Sequence, residues 1–341
     1  MNSILNYARK EATPSKKLQQ KKQRIAKKAY DLVSQCIEKY PQVVGFEFGG
    51  SYTKGTWVSE KPVDNVDIDI FVKFNKKTSE KDFRNIGTKI GFESLKKYKP
   101  YTRYAEHPFV EAVIDGTRVN VVPCYDVNKG EWQSATDRSV YHTKFMSQKL
   151  SNSMKEDVRV LKKFLQHIEV YGAEIAKEGF SGYVTEVLIF YFSSFEKTIK
   201  KISELKKGQV IGKSTKKFNS SIVIIDPVDN NRNLGTAISI DNLGKFVLAS
   251  RLFLKKPSKK FFNKPVSNRI MKNLDKIIVV QFRFKDRSDD IIWGQIKRAS
   301  TALKTQLELG GFTVLRNSSI KDEKENAALV FYYMQKKLKI V

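Results

Sequence analysis

The sequence predicts an α+β fold, on three observations. Apolar residues at helical and strand spacing follow one another as helix, strand, strand, helix, then further strands, which calls for a mixed sheet with helices on one face. The run Val43-Val44-Gly45-Phe46-Glu47-Phe48 closes in Gly49-Gly50-Ser51, a strand ending in a tight turn. Beyond it Val66, Ile68, Ile70 and Val72 alternate with Asp67 and Asp69, so one strand face is apolar and the other carries two carboxylates.

Those two carboxylates, one pleat apart, are separated by about 6–7 Å at Cα, close enough to share a divalent cation. They also repel, so both stay ionised only beside metal, basic groups or water. In the turn, glycine lets backbone N–H groups approach a phosphate, and serine adds a hydroxyl. Each feature alone is usually bland: a solvated strand face, or a turn and nothing more. Together and in this order they point to nucleotide chemistry.

Composition bounds the alternatives. A chain of 341 residues is too long for one compact core of typical size, so two or three domains are expected. No apolar run is long enough to cross a bilayer, and the start, MNSILNYARKEATPSKKLQQKKQR, lacks an apolar signal core, so no membrane partner and a cytoplasmic location are expected. Cys36 and Cys124 lie far apart without metal-ligand spacing, as free buried thiols do in a reducing compartment. The scattered His107, His142 and His167 argue against zinc. A net charge of +27 favours a polyanion, nucleic acid before an anionic membrane surface. Pairs such as Lys16-Lys17 and Lys259-Lys260 also suit a merely solvated surface.

In chain order, residues 1–20 are basic and expected to be ordered only in part. Residues 23–40 carry Ile25, Leu32, Val33, Cys36 and Ile37 at helical spacing. Residues 79–98 read as a second helix, 101–107 and 109–114 as strands, Asp115-Gly116 as a turn and 118–124 as the returning strand. Ser153 with Glu156 reads as a capping box for a helix bearing Val158, Leu161, Leu165 and Ile168. Another helix begins at Ser181. From Gln209 short strands and turns take over, followed by a helix over 239–254. Residues 256–269, basic and proline-containing, read as a linker. A small α/β unit follows, with strands near 277–284, 312–315 and 328–334 and a helix near 291–309.

Several blocks in one order sharpen the picture: GSYTKGTW (50–57), DIDIF (67–71), RYAEHPFVEAVIDG (103–116), VVPCY (121–125), DRSVYHTKF (137–145), VRVLKKFL (158–165), VYGAEI (170–175), GFSGYVTEVLI (179–189) and DPVDNNRN (226–233). The chain resembles the archaeal-type (class I) CCA-adding enzymes, tRNA nucleotidyltransferases of the polymerase-β-like superfamily. The resemblance implies a nucleotidyltransferase head over 21–150, a helical neck over 151–208, an α+β body over 209–255 for nucleotide recognition and a small α/β tail over 256–341 for tRNA. It implies template-independent addition of C, C and A to the tRNA 3′ end from CTP and ATP, with two Mg²⁺. Asp67, Asp69 and the residue at 120 would hold the metals. Gly50, Ser51, Lys54, Lys162 and Tyr171 would face the triphosphate. His142 and Arg232 would serve the nucleotide pocket and the base edge, although a lone lysine, histidine or loop arginine is otherwise most often solvated or structural.

The chain departs from that pattern at the third metal carboxylate, where Asn120 stands. An amide oxygen can ligate Mg²⁺ but takes no proton and brings no charge, so weaker metal binding and lowered or abolished activity are expected. Glu111, Asp115 and Asp126 are the acidic residues that could restore the charge. The connection from Ser51 to Asp67 is longer than the family's usual one, and family members usually extend further beyond Val341. Two other readings stay open: a poly(A)- or oligoadenylate-type nucleotidyltransferase, and a catalytically inactive tRNA-binding module. A homodimer is also left open.

Overall fold

A computed structural model describes residues 1–58, 66–103, 108–214, 216–263, 276–322 and 324–335. The chain divides into two compact units, one of residues 1–173 with 178–265 and one of residues 174–177 with 266–341.

The first unit opens with helices where only partial order was expected. α1 (Asn2–Ala12) buries Leu5, Ala8 and Ala12, and Arg9 reaches Asp157 at 3.0 Å. The three apolar residues recur at three- and four-residue spacing, a weak stripe hidden by the surrounding lysines. α2 (Lys16–Ile37), capped by the Ser15 hydroxyl, turns Ile25, Ala29 and Val33 inward. A five-stranded sheet follows: β1 (Val43–Gly49), a one-turn helix α3 (Gly50–Lys54), β2 (Ile68–Asn75), α4 (Glu80–Ser94), β3 (Tyr101–Arg103), β4 (Phe109–Ile114) and β5 (Thr117–Asp126). The strand order is β1-β2-β5-β4-β3, with β2 and β5 parallel and the other pairs antiparallel. Residues 104–107, expected to extend β3, and the connection over 59–65 lie outside the described residues.

The strand alternation sorts the two faces of this sheet. Ile68, Ile70, Val72, Phe74, Val119 and Val121 pack under α2 and α4. Gly91 of α4 sits against Val110, where a Cβ would overlap the valine side chain. The opposite face carries Asp69, Asn120 and a smaller apolar patch of Phe71, Val122 and Cys124, which meets Val140 of α5 (Asp137–Lys149). Helices therefore cover one face fully, while α5 covers only part of the other and leaves its acidic end open.

Only two residues, Leu150 and Ser151, separate α5 from α6 (Asn152–His167). Its cap is Ser151, which accepts from Met154 N–H at 3.3 Å, and not Ser153, whose hydroxyl meets that of Ser151 at 2.9 Å. With so short a connection, the helix takes the first capping residue after Leu150. α7 (Gly182–Phe192), α8 (Phe195–Ser203), the two-stranded parallel pair β6 (Val210–Ile211) and β7 (Val223–Ile224), and α9 (Ile240–Lys255) complete this layer. Phe164 of α6 is its centre, with Phe195, Phe246, Phe253, Phe261 and Phe262 around it at ring-centroid distances of 5.5–6.2 Å. The linker expected from residue 256 is therefore not a linker over its first part. Residues 259–262 form a 3₁₀ turn that buries Phe262, because two phenylalanines outweigh the flanking lysines. Residues 264–269 lie outside the described residues.

The second unit is an antiparallel sheet in the order β8-β10-β9, built from β8 (Ile277–Arg283), β9 (Phe312–Lys321) and β10 (Asn326–Gln335), with α10 (Asp289–Leu309) packed on it. Its core is Ile292, Ile296, Val314, Ala327, Leu329 and Phe331. No helix among the described residues is long and apolar enough to cross a membrane.

Truncating Phe164 to alanine should cost roughly 3–5 kcal/mol, since five surrounding rings cannot collapse onto the void. Urea titration of the full chain measures it, and a loss below about 1 kcal/mol would contradict this packing.

Candidate active site

The site begins at the end of β1. Gly50 has φ +66° and faces the Asp69 carboxylate so closely that a Cβ there would overlap Oδ2. A Cβ on Gly49 would likewise overlap the Phe71 ring. Two glycines are thus needed for the turn to lie against β2. The Gly50 N–H donates to Thr143 Oγ1 of α5 at 3.3 Å, which ties the turn to that helix.

Strand register places the acidic side chains. Asp69 on β2 is paired with Asn120 on β5, and Asn120 with Glu111 on β4, so all three share one row on one face. Asn120 Nδ2 donates to Asp69 Oδ1 at 2.8 Å. Its own Oδ1 is buried and has no hydrogen-bond partner among the described residues. Asp67 precedes β2 and is half-buried; Arg118 Nε donates to its Oδ1 at 2.6 Å. Burial raises both aspartates above the ordinary carboxylate range; Arg118 opposes this at Asp67, and the Asn120 amide and Lys54 oppose it at Asp69. Two carboxylates joined by an orphaned amide oxygen form an all-oxygen donor set, which suits a hard divalent cation. Among the described residues no three His, Cys, Asp or Glu side chains converge as a metal cluster, so the amide has to be part of such a site. The residues present fit the cation.

A cavity of about 330 Å³ opens onto this row, within the usual range for small-molecule sites. Gly50, Lys54, Asp69, Asn120 and His142 line it, together with Thr143 and Tyr183. Cavities of about 400 and 540 Å³ exist elsewhere in the unit, but neither contains the glycine turn facing a carboxylate.

Behind the cavity two buried carboxylates hold its cationic wall. Glu186 of α7 is fully buried and binds Lys54 Nζ at 2.5 Å and the Thr56 hydroxyl at 2.5 Å, with Lys162 Nζ 3.8 Å away. Lys162 also donates to the Thr56 carbonyl at 3.0 Å. Burial brings the Lys162 ammonium down to about 8, with Glu186 resisting the shift. Asp226, also fully buried, accepts from Tyr183 Oη at 2.9 Å, from His142 Nε2 at 2.8 Å and from Arg232 Nη1 at 3.3 Å. Burial pushes the Asp226 carboxyl up, yet the hydrogen bonds from His142, Val228 and Tyr183 leave it below its usual range. An ionised carboxylate only accepts, so Nε2 carries the proton of His142. Burial lowers the imidazole, which stacks on Tyr183 at 3.8 Å.

The residues singled out by sequence are only partly brought together. Ser51 follows Gly50 within α3, and Asp67 faces Arg118; neither lines the cavity. Lys162 lies beneath it. Tyr171 meets Lys162 across Gly182, where a Cβ would come 3.0 Å from Tyr171 Oη and 3.6 Å from Lys162 Nζ. α6 ends at His167 and the chain turns through Glu169 at φ +61°, which gives the close approach that residues nine positions apart require. Arg232 sits one carboxylate away, on Asp226. Sequence reasoning missed Glu186, Asp226, Tyr183, Thr143 and Arg118. All but Arg118 fall inside the recognised blocks, and Arg118 was visible as the strand neighbour two residues from Asn120.

Replacing Glu186 with glutamine leaves Lys54 and Lys162 facing each other without their shared anion, at a cost of roughly 3–5 kcal/mol at pH 7. Lys162 titrates near 8 in the fold against an ordinary 10.5, so between those values the unfolded chain holds more protons and stability gains as pH rises. The cost of Glu186→Gln should therefore shrink at pH 9, where Lys162 sheds its charge. Urea titrations at both pH values read this, and an equal loss at each would refute it.

The comparisons agree with this geometry. Three family models match the chain in succession: nucleotidyltransferase domain over residues 29–145, tRNA nucleotidyltransferase second domain over 156–263, and CCA-adding enzyme C-terminal domain over 275–341. The CCA-adding enzyme of Pyrobaculum islandicum is 35% identical over 98% of this chain and 79% of its own length. That of Pyrobaculum aerophilum is 36% identical over 99% and 80%, and that of Sulfurisphaera tokodaii 36% over 84% and 71%. Among solved structures, a cytoplasmic RNA terminal U-transferase superposes with a TM-score of 0.57 at 13% identity, covering 78% of this chain and all of that one. CdnC of E. coli MS115-1 with ATP gives 0.56 at 15%, covering 76% and 94%. At such identities the likeness is one of fold. Sequence identity over nearly the whole length, three consecutive family models and a carboxylate row facing a glycine turn agree: the chain belongs to the archaeal-type (class I) CCA-adding enzymes, the tRNA nucleotidyltransferases.

Proposed function

We propose that this chain completes the 3′ end of tRNA, adding C, C and A from CTP and ATP and releasing pyrophosphate at each step. The observation that carries the reading is one cavity lined by Asp69, Asn120, Gly50, Lys54 and His142 together. The terminal 3′-hydroxyl of tRNA attacks the α-phosphate in line, so positioning and charge compensation carry most of the barrier reduction.

Gly50 lets backbone approach the triphosphate, and Ser51 offers a hydroxyl beside it. Lys54 faces the cavity while anchored to Glu186, a positive charge that needs no reorganisation when an anion arrives. Lys162 and Tyr171 stiffen this wall from behind. His142, oriented by Asp226 and stacked on Tyr183, and Arg232, half-exposed on the same carboxylate, present fixed donors to a base edge. Asp67, Asp69 and Asn120 would hold the divalent cations, two Mg²⁺ in our reading, with Asp67 exchanging its Arg118 partner for metal. Bound there, the cations lower the pKa of the attacking hydroxyl and neutralise the triphosphate. The basic chain supplies the surface for tRNA. The buried free thiols Cys36 and Cys124 suit a cytoplasmic setting.

Incubation with tRNA lacking CCA and single labelled nucleotides tests this. CTP should be added twice, then ATP once, each with pyrophosphate release. Repeated ATP addition with CTP ignored would mark a poly(A)-type enzyme. The amide at Asn120 favours one other reading, an inactive tRNA-binding protein, which predicts salt-sensitive tRNA binding and no pyrophosphate from any nucleotide.

Two variants probe the roles. Asn120→Asp should raise the rate roughly tenfold or more by putting a charged oxygen at position 120 itself; an unchanged rate would mean the amide is not limiting. Arg232→Ala should erode the choice between C and A by about 1–3 kcal/mol, the cost of an unpaired buried donor or acceptor. Misincorporation assays with each nucleotide measure it, and unaltered selectivity would remove Arg232 from base recognition.

A further inference from the structure

We infer that Glu111 supplies the third negative charge of the cation site, in place of the carboxylate that position 120 lacks. This rests on the reading above that Asp69 and Asn120 hold a divalent cation. The row across the sheet is the ground for it: Asp69, Asn120 and Glu111 are register partners on β2, β5 and β4, so Glu111 is the direct cross-strand neighbour of the amide. Directly opposed side chains on one face have Cβ atoms about 4.5–5.5 Å apart, a span that a glutamate side chain bridges. The Asn120 oxygen is buried and without a hydrogen-bond partner among the described residues, on the strand between those of the two carboxylates.

Glu111 is a buried carboxylate in the same row as Asp69 and Asn120. It is 4% exposed on a strand whose neighbouring positions, Val110 and Ala112, are fully buried and apolar. The groups that face it are the Tyr101 hydroxyl on β3, which donates to Oε1, Arg103, whose Nε lies 4.0 Å from Oε2, and the Asn120 amide. Arg118 lies on the same face and shares its field between Asp67 and Glu111. Tyr101 and Arg103 are both on the edge strand, so they hold the carboxylate from the side away from Asp69.

The other two acidic candidates fail on position. Asp115 is exposed in the β4–β5 turn at φ +48°. Asp126 is exposed at the far end of β5, six residues or about 20 Å along the strand from Asn120, and lies near Lys73. The site thus keeps three acidic charges' worth of chemistry by moving one carboxylate a single strand sideways, with the amide as a neutral oxygen between.

Binding of Mn²⁺ to the full chain without nucleotide, read from the EPR signal of the free ion, tests this directly. Glu111→Gln should weaken Mn²⁺ binding roughly tenfold or more, and adding Asn120→Asp to that variant should restore binding to near the starting level. Tyr101→Phe removes the hydrogen bond but keeps the charge, and should leave Mn²⁺ affinity within about threefold, inside the usual context-dependence of metal-site supports. Undiminished binding in Glu111→Gln, no rescue by Asn120→Asp, or a loss in Tyr101→Phe equal to that in Glu111→Gln would each assign Glu111 a purely structural part and overturn the inference. Asp69→Asn separates this from failure of the underlying reading. If Asp69→Asn abolishes binding while Glu111→Gln does not, the inference alone falls; if Asp69→Asn changes nothing, the cation is not held here at all.

Discussion

Everything at the site depends on the contact between the Gly50 backbone and the Asp69 carboxylate. An acidic side chain pressed against a turn is a costly arrangement, since burial raises the carboxyl above its usual range against the opposition of the Asn120 amide, Lys54 and Arg118. No residue with a Cβ can occupy position 50 without displacing Asp69. The arrangement therefore brings backbone N–H groups and a carboxylate to the same few ångströms, where a polyphosphate and a cation can be held together. Register does the rest, since the parallel β2–β5 pair sets Asn120 beside Asp69 with no loop intervening. Side chains on rigid strands are placed more precisely than any loop could place them.

The cationic wall is held by a different device. Glu186 and Asp226 are fully buried, and each gathers cationic or hydrogen-bonding groups from elements remote in sequence. Buried ion pairs contribute little net stability once desolvation is counted, but breaking one is expensive. Their value here lies in direction. Glu186 fixes where the Lys54 ammonium stands, and Asp226 fixes both the tautomer and the tilt of His142. Both carboxylates tie α7 and the segment after β7 to side chains near the turn and on α5, so the groups lining the cavity are locked to one frame.

That division explains what could be read in the sequence. The Gly-Gly turn and the Asp-x-Asp strand were legible because period-two alternation and glycine chemistry are local. So were the strands of both sheets and most helices. Glu186 and Asp226 were not, because their partners lie 132 and 84 residues away and a lone acidic residue carries no periodic signal. α1 was missed because Leu5, Ala8 and Ala12 are few among charged neighbours, and only the core around Phe164 makes them count. The same core draws in Phe261 and Phe262, which composition had assigned to a linker. Tertiary burial overrides local charge in both cases. The role of Asn120 was legible as a departure, but its consequence was not, since whether its oxygen finds a partner depends on neighbours from two other strands.

That oxygen is informative because folding discourages it. A buried acceptor without a donor costs about 1–3 kcal/mol, and folded proteins rarely keep one without reason. Among the described residues only a few buried side-chain polar atoms lack a hydrogen-bond partner, and of these only Asn120 Oδ1 belongs to the lining of the cavity that holds Asp69. The amide nitrogen is already spent on Asp69, so turning the side chain over would set two oxygens against each other and satisfy nothing. The orientation that pairs the nitrogen leaves the oxygen without a donor among the described residues. A buried acceptor left so, where a glycine turn meets a carboxylate, has the chemistry to meet a hard cation.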